Sequence, residues 1–142
     1  MGFRIAKEFR WAMSHRLPFH EGLCKNIHGH TYKLRVELEG ERNELGIVVD
    51  YYVMRGIVRP IIDKFDHAFV CAREDKEVLE FLDKMNFKKV VIDEYSTAEN
   101  LVAILMDLIA PEFEKYENVH RVTLHLYETE DAYAAITRDI SR

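Results

Sequence analysis

Two segments near the start of the chain alternate between apolar and polar residues, a pattern that predicts two half-buried β-strands. In residues 3–15 the large apolar side chains occupy odd positions, and in residues 31–39 they occupy even positions. A polar, turn-like stretch at 40–46 then leads to a short apolar run at 47–49. We expect that run to be a pairing strand, which gives the order strand, loop, strand, turn, strand.

Two helices are predicted after this region, because apolar residues there recur three and four positions apart. The first begins after Asp50, a favoured N-cap residue, and carries Pro60 inside its apolar stripe. A proline at that place predicts a kink or a break. The second, shorter helix covers 75–85, with Asp75 as its cap, and a strand is expected at 88–92.

The last third of the chain predicts one more helix and two closing strands. Ser96 is read as a hydroxyl cap with Glu99 three residues on, which is a capping box, and Pro111 marks an end or a kink of the helix that follows. The closing strands are expected at 122–126 and at about 132–136. The predicted fold is therefore α+β, an antiparallel sheet with inserted helices covering one face.

The composition narrows the class of protein. A chain of 142 residues with 48% hydrophobic and 32% charged residues is typical of one soluble domain, here 1–142. A net charge of −5 without a long basic run argues against nucleic acid as a partner. No apolar stretch is long enough to span a membrane, and no N-terminal signal peptide is recognisable. The two cysteines form no disulfide framework, so we expect a cytoplasmic location.

Three histidines form the strongest candidate site. His28 and His30 are two apart at the entry to a strand, so their side chains point the same way, toward the apolar face. His15 shares the apolar face of the first strand, and a hairpin pairing would bring all three together. Three neutral imidazoles suit Zn²⁺ with a fourth position left for water or substrate. The alternative is a set of core histidines with satisfied hydrogen bonds.

Four further residues are candidates for chemistry. Close to a metal ion, Cys24 would be a thiolate that acts as nucleophile or base. The alternatives are that it is a small buried apolar residue, or that it is the fourth ligand of a closed structural site. Asp66 next to His67 would set the tautomer of the imidazole, or would simply form a helix C-terminal turn. Glu128 shares the apolar face of a closing strand, where a carboxylate needs a partner, or else lies at a solvated strand end.

Six short motifs resemble those of the 6-pyruvoyltetrahydropterin synthase and 6-carboxytetrahydropterin synthase family. They occur in the family's order and span most of the chain. Their combination is specific, although each motif alone is weak. The motifs are Ser14-His15-Arg16-Leu17, Cys24 to His30, Gly46 to Asp50, Asp66-His67, Ser96-Thr97-Ala98-Glu99-Asn100-Leu101 and Tyr127-Glu128-Thr129.

The resemblance implies a T-fold, with a four-stranded antiparallel sheet and its main helices on one face. Such domains assemble as trimers whose sheets join in a barrel, two trimers stack into a hexamer, and the active site lies between subunits. It also implies a lyase that acts on 7,8-dihydroneopterin triphosphate. The implied roles are zinc binding by His15, His28 and His30, general base catalysis by Cys24 with Asp66 and His67 as its relay, and pterin binding by Glu128 and Thr97.

The spacing between Cys24 and His28 bears on the branch of the family. A gap of three residues resembles the 6-carboxytetrahydropterin synthases, which serve the route to 7-deazaguanine bases such as queuosine. The pyruvoyl branch has a longer gap, and an aldolase-like branch carries a Glu that residues 25–27 lack. The segment 71–93 is longer than the compact bacterial pattern, so an altered pocket is expected. A zinc-stabilised oligomeric binding module without turnover remains the alternative from another class.

Overall fold

The computed structural model describes residues 2–140, which form a six-stranded sheet with three α-helices. The strands lie in the spatial order β4-β3-β1-β2-β5-β6. A short 3-10 turn at Leu23–Lys25 lies between the first two strands. The elements are β1 Phe3–His15, β2 His28–Gly40, α1 Tyr51–Asp63, β3 Ala68–Ala72, α2 Lys76–Met85, β4 Lys89–Ile92, α3 Ala98–Phe113, β5 Val119–Thr129 and β6 Ala132–Asp139.

The four long strands form the antiparallel sheet that the alternating pattern predicts. β1 pairs with β2 along its whole length, from Phe3 opposite Gly40 to His15 opposite His28. β5 pairs antiparallel with β2 on one side and with β6 on the other. The core lies between one face of this sheet and the helices α1 and α3, because the apolar positions of β1, β2 and β5 all point to that face.

The prediction of a purely antiparallel, four-stranded sheet is wrong, because β3 and β4 extend it. β3 runs parallel to both β1 and β4, so the sheet is mixed. All five residues of β3 are buried, since α2 packs on the face opposite the core through a small cluster formed by Phe69, Cys71, Val78 and Leu82. A strand covered on both faces does not alternate, which is why its pattern predicted no strand. The helices therefore do not all lie on one face.

The apolar run at 47–49 is not a strand, contrary to expectation. Val48 and Val49 are buried in the core, but this run pairs with no strand in the described part of the chain. The side-chain amide of Asn118 donates to the carbonyl of Val48 at 2.8 Å. A side chain thus satisfies the backbone where a neighbouring strand was expected.

The predicted cap of α1 is confirmed, whereas the predicted interruptions at the two prolines are wrong. α1 begins after Asp50, whose carboxylate accepts from the N–H of Tyr52, and continues without a break through Pro60. α3 also continues past Pro111, to Phe113. Within the described residues 2–140, no helix is long and apolar enough to cross a lipid bilayer.

Candidate metal centre

The three histidines meet where β1 ends and β2 begins. His15 lies directly opposite His28, and His30 lies opposite Met13 two pairs further along. One ring nitrogen from each histidine lies within 4.8 Å of the other two. The pairing of the two strands therefore brings the three predicted ligands together, as the hairpin interpretation required.

Backbone carbonyls orient two of these rings. The Nδ1 of His15 lies 2.8 Å from the carbonyl oxygen of Ser96, and the Nδ1 of His28 lies 2.7 Å from that of Asn26. An N–H at Nδ1 donates to each carbonyl, which leaves the lone pair of Nε2 for a metal ion. Metal-binding histidines characteristically have such a partner on their second nitrogen.

Burial keeps His15 and His30 neutral, as metal ligation requires. His15 is 2% exposed, and this burial lowers its pKa to about 4, with a smaller opposing effect of the Ser96 carbonyl and a further lowering by His28 and His30. Burial also lowers the pKa of His30, against the nearby charge of Glu128. Three imidazoles at close distance, two of them with a partner on the second nitrogen, fit a divalent metal ion.

Two neighbours of His15 were not identified as part of the site from the sequence. Ser96 is not the cap of α3, because its hydroxyl lies 3.1 Å from the Nδ1 of His15, and the cap is Thr97 instead. The sequence analysis assigned Ser96 to a capping box and therefore did not predict its contact with His15. The hydroxyl of Tyr32 lies 3.4 Å from the Nε2 of His15, and burial raises the pKa of that phenol. The signal for Tyr32 was its shared strand face with His28 and His30.

Glu128 lies beside the histidines, as predicted from its strand position. Its Oε1 is 3.8 Å from the Nε2 of His15, and its side chain is 30% exposed. The pairing of β5 with β6 is irregular between Tyr127 and Thr129, at the position of Glu128. The same carboxylate lines a cavity of about 370 Å³, which a small molecule could enter. That cavity is lined by Ala98, Glu99, Glu128, Ala132, Tyr133, Ala134 and Ala135.

Cys24 stands close to the histidines in sequence but outside their cluster. It lies in the 3-10 turn and is partly exposed, and its carbonyl accepts from the N–H of Leu17 at 2.8 Å. Over residues 2–140, the side chains that could share one ion are His15, His28 and His30 alone. This arrangement supports a centre with an open position rather than one closed by a cysteine.

Asp66 and His67 form the predicted pair, and it is anchored to the edge of β1. Asp66 Oδ1 accepts from the Nδ1 of His67 at 2.9 Å and from the N–H of Ala12 at 3.2 Å. His67 adopts a positive φ of 62°, and its own N–H donates to the carbonyl of Ala12. Desolvation opposes ionisation of Asp66, yet these hydrogen bonds and the charges of His67 and Arg59 hold its pKa below the usual range.

The ring of His67 is 79% exposed and borders the sheet face opposite the core. The cavity there, of about 450 Å³, includes Ser14 and Thr31, whose side chains alternate with those of the metal-binding residues along β1 and β2. In the described chain no hydrogen bond joins His67 to Cys24. The same cavity also includes His30, so the structure brings Glu128 to the histidine cluster and places His67 near one of its three members.

Thr97 is the N-cap of α3, a role that the sequence analysis assigned to Ser96. Its hydroxyl caps α3 by accepting from the N–H of Asn100 at 3.2 Å. The hydroxyl proton of Thr97 is still available to a ligand. Both roles are compatible, because a capping oxygen can donate while it accepts.

Comparison with known proteins places the chain in a family. A sequence model described as 6-pyruvoyl tetrahydropterin synthase matches residues 4–139. The chain belongs to the 6-pyruvoyl tetrahydropterin synthase family. A 6-carboxy-5,6,7,8-tetrahydropterin synthase of Haemophilus influenzae is 32% identical over 139 residues, which cover 92% of this chain and 96% of the relative. A putative 6-carboxy-5,6,7,8-tetrahydropterin synthase of Pyrococcus horikoshii is 31% identical, with 96% and 94% covered.

Solved structures confirm the fold. An uncharacterized protein from Wolinella succinogenes superposes with a TM-score of 0.80 at 21% identity, covering 96% of this chain and 98% of that one. The 6-pyruvoyl tetrahydropterin synthase of Plasmodium vivax superposes with a TM-score of 0.75 at 20% identity, with 99% of both chains covered. The α+β T-fold of these structures is thereby shared.

Proposed function

We propose that this family member is a zinc-dependent 6-carboxy-5,6,7,8-tetrahydropterin synthase that acts on 7,8-dihydroneopterin triphosphate, in the cytoplasm, on the route to 7-deazaguanine bases such as queuosine. The observation that carries the proposal is the cluster of three histidines beside a cavity that Glu128 lines. The naming of relatives such as the Haemophilus influenzae protein supports the carboxy branch.

The proposed metal ligands are His15, His28 and His30. Zinc bound there would act as a Lewis acid on the side-chain oxygens of the substrate and would acidify the protons on the adjacent carbons. The low pKa of His15 keeps its lone pair available down to mildly acidic pH. Burial of this ring also excludes bulk water from one side of the centre.

The proposed role of Glu128 is to hold the pterin ring. A carboxylate accepts two hydrogen bonds at once from an edge that presents an amino group and a ring N–H. Its position 3.8 Å from the ring of His15 would hold the substrate side chain next to the metal ligands. Thr97, at the start of the helix that borders the cavity, is the proposed second contact.

Cys24 is the proposed general base, with His67 and Asp66 as the groups that receive and stabilise its proton. Asp66 holds the Nδ1–H of His67 and leaves its Nε2 free to accept. Because His67 borders the face of the sheet opposite the core, we propose that it serves the Cys24 of a neighbouring copy. The active site is then completed between subunits.

Open strand edges support such an assembly. β6 has one neighbour, and β3 covers β1 only at Met13 and Ser14, so the outer side of residues 3–9 has no paired strand in the described chain. Unpaired edges are templates for strand addition. Pairing of β6 with β1 of the next copy would be head-to-tail, and such contacts generate rings when the rotation between copies closes. A trimer or a stacked hexamer is the proposed state.

Product analysis tests the proposed activity. The zinc-loaded protein is incubated with 7,8-dihydroneopterin triphosphate, and the products are identified by mass spectrometry. We expect 6-carboxytetrahydropterin, acetaldehyde and triphosphate. A pyruvoyl or hydroxymethyl pterin would assign the chain to another branch. No turnover by folded, zinc-containing protein would support a binding module instead.

Complementation tests the shared site. Cys24→Ala and His67→Ala are each expected to bind zinc without turnover. Mixed oligomers of the two variants, formed by refolding them together, should regain a measurable fraction of activity, because some interfaces then combine an intact Cys24 with an intact His67. Mixed oligomers that stay inactive would contradict a site shared between copies.

A further inference from the structure

A buried ion pair connects the start of α2 to the end of β1. The Nε of Arg16 donates to Asp75 Oδ2 at 2.7 Å, and its Nη2 donates to Oδ1 at 2.6 Å. The side chains are 25% and 6% exposed, respectively. This bidentate geometry fixes both the distance and the orientation of the guanidinium and the carboxylate, and it is the strongest form of an arginine–carboxylate ion pair.

Asp75 makes this contact instead of capping its own helix. It stands at the N-cap position of α2, but its side chain accepts no hydrogen bond from the helix backbone. Aspartate is favoured at this position because its carboxylate normally satisfies an N–H of the first turn. The carboxylate is directed at Arg16, so the helix forgoes a local stabilisation in favour of a contact with β1.

Arg16 is linked to the proposed metal centre by its neighbours. It directly follows His15, and its carbonyl accepts from the hydroxyl of Ser96 at 3.5 Å. Ser96 in turn contacts the Nδ1 of His15 through both its hydroxyl and its carbonyl. A continuous set of contacts therefore runs from Asp75 through Arg16 and Ser96 to the ring of His15.

The β3-α2-β4 unit makes few strand contacts with the end of β1. Within residues 2–140, two residue pairs join β1 to β3, namely Met13 with Ala68 and Ser14 with Phe69. Both pairs precede His15, so the residues that follow Ser14 have no partner in β3. The ion pair of Arg16 extends the attachment of the unit past the metal-binding residue.

We propose that Asp75 is a positioning residue for the metal centre. By holding Arg16, it orders the end of β1 and the ring of His15 before the ion binds. The inference rests on the proposed metal site. Without this ion pair, the entropy cost of ordering His15 would reduce the free energy of metal binding, and the affinity for the metal ion would fall.

Asp75→Asn tests this role through zinc affinity, measured by competition with a chromophoric chelator. We expect affinity to fall about tenfold, the size found for lost outer contacts of metal ligands. Arg16→Lys keeps the charge but not the bidentate geometry, so a fall is expected there too, and this variant decides the matter if Asp75→Asn does not fold. Asp93→Asn is the matched control, because it removes the exposed ion pair of Arg73 in the same unit. It should keep wild-type affinity.

A double-mutant cycle separates positioning from general stability. Ser96→Ala removes the hydroxyl that contacts both Arg16 and His15 and keeps the backbone carbonyl, so its effect on zinc affinity should be less than additive with that of Asp75→Asn. Folded Asp75→Asn and Arg16→Lys proteins with wild-type zinc affinity would overturn the inference and leave the ion pair a structural tie. A wild-type protein that takes up no zinc would instead refute the metal centre of the proposed function.

Discussion

The buried His15 should make the metal-free protein lose stability as the pH falls. Its pKa is about 4 in the folded state and about 6.5 when unfolded, so the unfolded state binds more protons between these values. Its stabilising contribution is complete above pH 6.5 and is lost as the pH falls through 4. Linkage gives a loss of about 2 kcal/mol between pH 7 and pH 5, rising to about 3 kcal/mol well below pH 4.

Urea unfolding of metal-free protein at pH 7 and pH 5 measures this effect. His15→Gln removes the group, so its stability should fall with pH by about 2 kcal/mol less than that of the wild type. His20→Gln, which alters an exposed residue, is the control and should follow the wild type. Equal pH dependence in wild type and His15→Gln would refute the reasoning, because it would mean that protonation of His15 does not oppose folding.

Three further predictions concern single sites. Glu128→Gln keeps the shape of the side chain but loses its charge, so KM should rise at least about tenfold in steady-state assays, while zinc content stays unchanged. Thr97→Ala removes the cap of α3 and should lower the free energy of unfolding in urea by about 1 kcal/mol. An unchanged free energy would mean that the Thr97 hydroxyl does not stabilise the helix. Zinc at about 100 times its Kd should stabilise the wild type by about 2.7 kcal/mol, and His28→Ala should abolish this gain.

The candidate site was predictable to the extent that it follows from strand periodicity. His28 and His30 had to share a face because side chains alternate along a strand. His15 joined them because a hairpin pairing places the end of β1 beside the start of β2, with both apolar faces on one side. Glu128 was placed by the same argument, and its distance from His15 confirms that placement.

Other contacts of the site were not predictable, because they join residues far apart in the chain. Ser96 was assigned to a helix cap from its local motif, yet its contacts are with His15 and Arg16. Asp75 was likewise read as a cap, and its carboxylate faces Arg16 instead. A local motif shows which hydrogen bonds a residue can make, whereas packing decides which of them it does make.

The sequence by itself determined the long antiparallel strands, the core-facing helices and the sheet face that carries the three histidines, since each follows from a local period of two or 3.6 residues. Only the tertiary structure decided that β3 and β4 extend the sheet and that α2 covers the opposite face. A strand buried on both sides loses the alternation that identifies it. Which elements cover those sides depends on contacts across the whole chain, and no local pattern records them.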